Sequence, residues 1–145
     1  MIGTASVRTP AHLWLVGVLA LLWNGFGCLD YSMTVTRDPT WMAQLSPDVI
    51  NWLDAAPVWA VGSWALGVWG GLLGAFLLLI RSRWSVTAFV LSLLGLAVNQ
   101  TYQFLNPMPG AAANSGQLAL TATIWIIAII LLYYASRMRA RGVLK

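Results

Sequence analysis

The sequence predicts an all-α fold: a four-transmembrane-helix antiparallel bundle with both termini cytoplasmic and a short interfacial helix in the first outer loop. Three observations carry that expectation. First, residues 11–29, 58–80, 85–105 and 118–135 are apolar runs of about twenty residues, the length that crosses a ~30 Å hydrocarbon core. Second, only 8% of the residues are charged, against roughly 25% in soluble domains, while 59% are hydrophobic. An ordinary soluble domain is excluded, and one integral membrane domain over 1–145 is expected. Third, the charges are sorted. All four acidic residues, Asp30, Asp38, Asp48 and Asp54, fall within 30–57, whereas every Lys and Arg except Arg37 lies outside that segment. Because Lys and Arg of short loops stay on the cytoplasmic side, Arg8, the Arg81 and Arg83 turn, and the Arg137 to Lys145 tail are placed inside, and the 30–57 loop outside.

Taken in order, the first span follows Arg8 and runs into Gly25-Phe26-Gly27-Cys28, which has the outline of a secretory or lipoprotein signal. No small-x-small cleavage site follows, and Phe26 stands where a lipoprotein site needs a small residue, so the span is expected to be retained. The outer loop holds two helix starts, Asp38-Pro39 and Ser46-Pro47, each a capping side chain before a proline at the first helical position. After Ser46 the apolar Val49, Ile50, Trp52 and Leu53 fall opposite Asp48, Asn51 and Asp54, the pattern of a short helix lying at the membrane surface and stopping near Pro57. Trp41, Trp52 and Trp59 at the outer boundary, and Trp14, Trp84, Tyr133 and Tyr134 at the inner one, fit two aromatic belts. The 81–84 linker makes a tight hairpin, and Pro107, Pro109 and Gly110 break the chain between the third and fourth spans.

Each span carries one small or polar stripe, the face by which helices associate in lipid. The second aligns Ala60, Ser63, Gly67, Gly70, Gly71 and Gly74 within an arc of about 100°. Gly67 with Gly71 and Gly70 with Gly74 are overlapping Gly-xxx-Gly pairs, suited to packing inside the bundle or against a second chain. On the other spans Asn24, Asp30, Tyr31, Asn99, Tyr102, Gln103, Gln117 and Thr121 gather in the outer half, with Asn24 and Asn99 each about 20 Å from the cytoplasmic helix end. They form either a set of interhelical hydrogen bonds or a site open to the outside for a neutral polar solute.

Catalytic chemistry finds little support. The chain has no Glu, one His and one Cys, and His12 is predicted at the inner end while every Asp is at the outer. A His-Asp relay or a zinc site would have to span the bilayer, so no catalytic, metal or cofactor residues are expected. A lone His at a helix entry is read as interfacial rather than as a haem or pigment ligand, and Cys28 alone makes no internal disulfide. The net charge of +4 is a topological marker, not a nucleic-acid footprint.

The string from Leu22 to Thr34 (LWNGFGCLDYSMT), followed by Trp64 to Gly74 (WALGVWGGLLG) and Arg81 to Trp84, resembles a group of small four-span bacterial inner-membrane proteins. That group is largely uncharacterised, and some members carry a sugar-transporter label. The resemblance covers about 13–102 and implies a multi-pass location in the bacterial inner membrane; it carries over no functional residues. The expected function is therefore a non-enzymatic membrane protein whose partners are the lipid bilayer and a homo-oligomer or larger membrane complex, as a self-associating or accessory component. The alternative is a small-solute, sugar-like transporter acting as a dimer, with its polar site in the outer half.

Overall fold

The computed structural model describes residues 7–145; the first six residues of the predicted membrane domain lie outside the described residues. The elements are α1 (Ala11–Val35), α2 (Pro39–Met42), α3 (Pro47–Asp54), α4 (Val58–Leu79), α5 (Trp84–Leu105), a 3-10 turn (Ala111–Ala113) and α6 (Ser115–Ala140), with no strand among the described residues. Four helices, α1, α4, α5 and α6, are long and apolar enough to cross a membrane, the architecture of a multi-pass membrane protein.

The helices pack as a series. α4 lies between α1 and α5, and α5 also packs on α6. The α4–α5 seam is closest because small residues bring the two backbones together. A Cβ added to Gly95 would sit 2.6 Å from the Gly67 nitrogen and 2.7 Å from the Ser63 carbonyl oxygen, distances no real side chain holds. Across this seam α5 donates three hydrogen bonds to α4 carbonyls: Ser85 Oγ to Gly74 at 2.8 Å, Ser92 Oγ to Gly67 at 2.5 Å and Asn99 Nδ2 to Ala60 at 3.1 Å. The other face of α4 receives α1, where Cys28 Sγ reaches the Val68 carbonyl at 3.3 Å and Asn24 fills the space left by Gly71.

Charge divides the bundle into an acidic end and a basic end. At the basic end Arg81 Nη1 donates to Thr9 Oγ1 at 2.7 Å, and His12 Nδ1 meets the Tyr134 hydroxyl at 2.5 Å. The chain after α6 turns back through Gly142 (φ 70°), buries Val143 and Leu144 in the core, and clasps the α4–α5 turn: Lys145 N donates to Arg81 O and Arg83 N to Lys145 O, both at 2.8 Å. Leu13, Ala75, Leu78 and Ala135 are fully buried here, so the basic end is a closed plug.

Two helices differ in extent from the sequence expectation. α1 runs to Val35 instead of stopping at residue 29. Hydropathy marks where the hydrocarbon ends, but hydrogen bonding decides where a helix ends: Ser32 Oγ donates to Cys28 O, and the helix closes only where Asp38 N donates to Met33 O around Arg37 (φ 57°). α6 spans Ser115–Ala140 rather than 118–135, started by Asn114 Oδ1, which accepts from Gly116 N and Gln117 N, and extended through an arginine-rich last turn that suits the negative end of the helix dipole. The loop caps form as the sequence predicts. Asp38 accepts from Thr40 N and Trp41 N, and Ser46 from Val49 N.

Candidate functional site

Where α4 and α5 press together, α1 and α6 do not. They meet near the basic end and leave between them, toward the acidic end, a cavity of about 250 Å³ bounded by all four long helices. Six of the eight predicted cluster residues reach it: Asn24 and Asp30 from α1, Asn99 and Gln103 from α5, Gln117 and Thr121 from α6. Tyr102 does not. It is buried in a second cavity of about 400 Å³ directly beneath the 36–57 loop, between Trp52 and Trp59 at ring-centre distances of 5.8 and 5.5 Å. Tyr31 lines neither; it packs edge-on against Trp64 at 5.0 Å, and Trp64 in turn lines both. The two cavities share Asp30, Asn99, Gln103 and Gln117, so these side chains stand at the boundary between them.

Part of this polarity is structural. Asn99 is fixed between the Ala60 carbonyl and Gln103, whose Nε2 donates to Asn99 Oδ1 at 2.7 Å, and Asn24 Nδ2 donates to its own helix at Ala20 O at 2.8 Å. These bonds orient the amides and leave acceptor oxygens of Asn24 and Gln103 over. Gln117 and Thr121 line the cavity from the fourth side, on the helix least held by its neighbours. Among the described residues no fully buried side-chain nitrogen or oxygen lacks a partner, so the spare capacity lies on the half-buried walls of the cavity.

The acidic end is roofed. Trp41 Nε1 donates to Asp30 Oδ1 at 3.1 Å, Trp52 Nε1 to Asn106 O at 2.8 Å, and Arg37 pairs with Asp54 across the loop. The indoles that the sequence assigned to an outer aromatic belt are thus tied to the protein, and Trp41 places the Asp30 carboxylate at the cavity rim. At the other extreme Phe89 and Leu131 form the floor, with the buried plug beyond.

The glycine stripe faces inward along its length: Gly67 and Gly70 toward α5 near Ser92, Gly71 toward Asn24, and Gly74 toward the Phe89 ring. Sequence reasoning missed Gln100, Trp23 and Trp64 on the cavity wall. Gln100 stands beside Asn99 and three residues before Gln103, a spacing that marks it as a wall residue once Gln103 is given one. Comparison with known proteins finds no family model, no curated protein and no solved structure that matches the chain.

Proposed function

We propose that this chain is a multi-pass protein of a bacterial inner membrane that binds a small neutral polar solute through its acidic, outward end, with both termini and the Arg81 turn on the cytoplasmic side. One observation carries the reading: the amides of Asn99, Gln103 and Gln117 line one cavity, and Asn24 joins its wall lower down beside Ser92. Carboxamides both donate and accept, which suits hydroxyl groups, and the wall holds a single ionisable residue, Asp30, already engaged by Trp41. An anion there would face Asp30 with no compensating cation, and a cation would find one rim carboxylate already bonded to Trp41 among neutral amides, so a neutral solute fits best. Trp23 and Trp64 offer flat apolar faces of the kind that pack on a sugar ring. The volume of about 250 Å³ lies just below the roughly 300–1,000 Å³ of sites for drug-sized ligands, so the enclosed part of the ligand is about the size of one sugar ring.

The resemblance to four-span proteins with a sugar-transporter label agrees with this reading. An accessory role through the glycine stripe is less well supported, because those glycines are occupied within the chain. The floor at Phe89 and Leu131 and the plug behind it favour binding over passage in this conformation; transport would require the basic end to open.

The test is thermal unfolding of the purified protein in a detergent without a sugar headgroup, followed by tryptophan fluorescence, against neutral monosaccharides, polyols and their charged acid or amine analogues. A neutral ligand at about 100 times its Kd should stabilise by roughly 2.7 kcal/mol. That gain should vanish in Gln103→Ala and Gln117→Ala proteins of unchanged helicity. Equal stabilisation by the charged analogues, or none by any neutral compound, would overturn the reading.

A further inference from the structure

The cavity has a side entrance, and its polarity is graded along the helix axes. Phe26 of α1 and Leu120 of α6 both line it, yet they are 63% and 47% exposed, so the cavity wall and the outer surface of the bundle coincide at these two residues. The mouth therefore opens between α1 and α6, the two helices that do not pack along their length, and it opens toward the hydrocarbon. At the acidic end the loop is tied across by Trp41, Trp52 and Arg37, so the side mouth is the opening that faces the hydrocarbon. Down α6 from the acidic end, the lining changes from Gln117 and Thr121 to Ile124, Ile127 and Leu131; down α5 it changes from Gln103 and Asn99 to Leu96 and Phe89, interrupted by Ser92, whose hydroxyl is bonded to the Gly67 carbonyl, with Asn24 of α1 at the same level. Along α6 the polar groups therefore stand nearer the acidic end and the apolar ones deeper in the bundle.

A water-soluble sugar held by the amides would leave the apolar α6 wall at Ile124, Ile127 and Leu131 unfilled. A lipid of the same leaflet matches both the amides and that wall. We infer that the occupant is an uncharged glycolipid, which enters sideways between Phe26 and Leu120, places its sugar headgroup among the amides of Asn99, Gln103 and Gln117, and lays an acyl chain along Ile124, Ile127 and Leu131. The inference rests on the proposed neutral-solute site and names its substrate class. Anionic phospholipids are disfavoured because the inner cavity wall has no cation and carries Asp30, while Arg37 at the roof is paired with Asp54.

The full chain is reconstituted in phosphatidylcholine vesicles with a few mole percent of a monoglucosyl diacylglycerol bearing a photoactivatable group in one acyl chain, and cross-linked peptides are mapped. Saturable labelling should fall on 23–30 and 118–131, and unlabelled glucolipid should compete where added phosphatidylcholine does not. Leu120→Trp, a change at a half-exposed position that fills the mouth, should weaken binding roughly tenfold with the melting temperature unchanged, and Gln103→Ala should remove the headgroup preference. Circular dichroism of each variant confirms that the bundle is intact, and the wild-type competition pattern tests the inference without any variant. Labelling indifferent to the headgroup, or undiminished by Leu120→Trp, overturns it. If methyl glucoside binds as tightly as the glucolipid, the lipid inference falls while the solute site stands. If neither binds saturably, both fall.

Discussion

The α4–α5 seam and the α1–α6 gap are built from the same kinds of residue and do opposite things. At the seam, Gly67, Gly70 and Gly95 bring backbones into contact, and serine and asparagine side chains donate straight to the opposing helix's carbonyls. At the gap, Gln117 and Thr121 stand across a cavity from Asn24 and Gln103, with about 250 Å³ between the walls. In lipid, apolar side chains gain nothing by leaving one apolar environment for another, so close packing and polar pairing decide which helices associate. The seam has both; the gap has polar groups without the packing. Polarity in a membrane helix thus marks either a joint or a site, and the distance to the facing backbone decides which.

The largest effect should come from breaking the seam at Gly95. Its added Cβ meets backbone atoms at 2.6 and 2.7 Å, and backbone in a helix cannot swing aside as a side chain can. Gly95→Ala is expected to cost about 1–3 kcal/mol, read as a lower melting temperature and lower folded yield in detergent. Gly67→Ala, although Gly67 sits in the recognisable glycine motif, should cost far less, because its Cβ would find ordinary contacts of 3.5 Å and beyond. Equal tolerance at both positions would remove the seam as the structural axis of the molecule.

Next comes Asn99→Ala, which touches both regions. It removes the bond to Ala60 O and the partner of Gln103 Nε2. Interhelical hydrogen bonds in membranes average about 0.6 kcal/mol, so roughly 1 kcal/mol of stability should be lost together with ligand binding. A variant that kept full binding while losing that stability would assign Asn99 to the joint alone.

The contrast between seam and gap was only half legible in the sequence. The spans were, since about twenty apolar residues leave few alternatives, and so were the caps at Asp38 and Ser46, which act within a few residues of chain. The small-residue stripe announced that one face of α4 is buried, but a stripe does not say which neighbour buries it. That depends on Gly95, a lone glycine on another helix. The cavity is volume the helices leave unfilled, and no single position encodes it; six of its polar residues were found by counting along the spans, but the count put Asn24 level with Asn99, whereas Asn24 lies against Gly71 beside Ser92 and Asn99 against Ala60, because residue counts ignore how far each helix is shifted along its axis. The return of Val143 and Leu144 into the core left no signal, because two apolar residues after a basic run have no periodicity to read.

Thr121→Val sharpens the other side of the comparison. The exchange keeps the shape of the side chain and removes its hydroxyl from a helix whose main packing among the long helices is on α5. Stability should stay within about 0.5 kcal/mol of the parent, as for changes away from packed features. Neutral-ligand affinity should fall several-fold in the fluorescence titration. Loss of stability without loss of affinity would make Thr121 part of an α5–α6 joint.

The smallest effect is expected at Gly62, and its sign is informative. A Cβ there meets nothing within 4 Å, although Gly62 adjoins the buried Ser63 on the same helix. Gly62→Ala removes backbone freedom from the unfolded chain without entering either region, and in an exposed soluble helix such a change gains up to about 1 kcal/mol. In a bilayer the unfolded reference keeps its helices, so less of that gain survives, and a small rise or no change in melting temperature is expected. A clear fall would mean that a surface facing neither α1 nor α5 is packed against something, and the division of α4 into a seam and a free lipid face would have to be redrawn around a second chain.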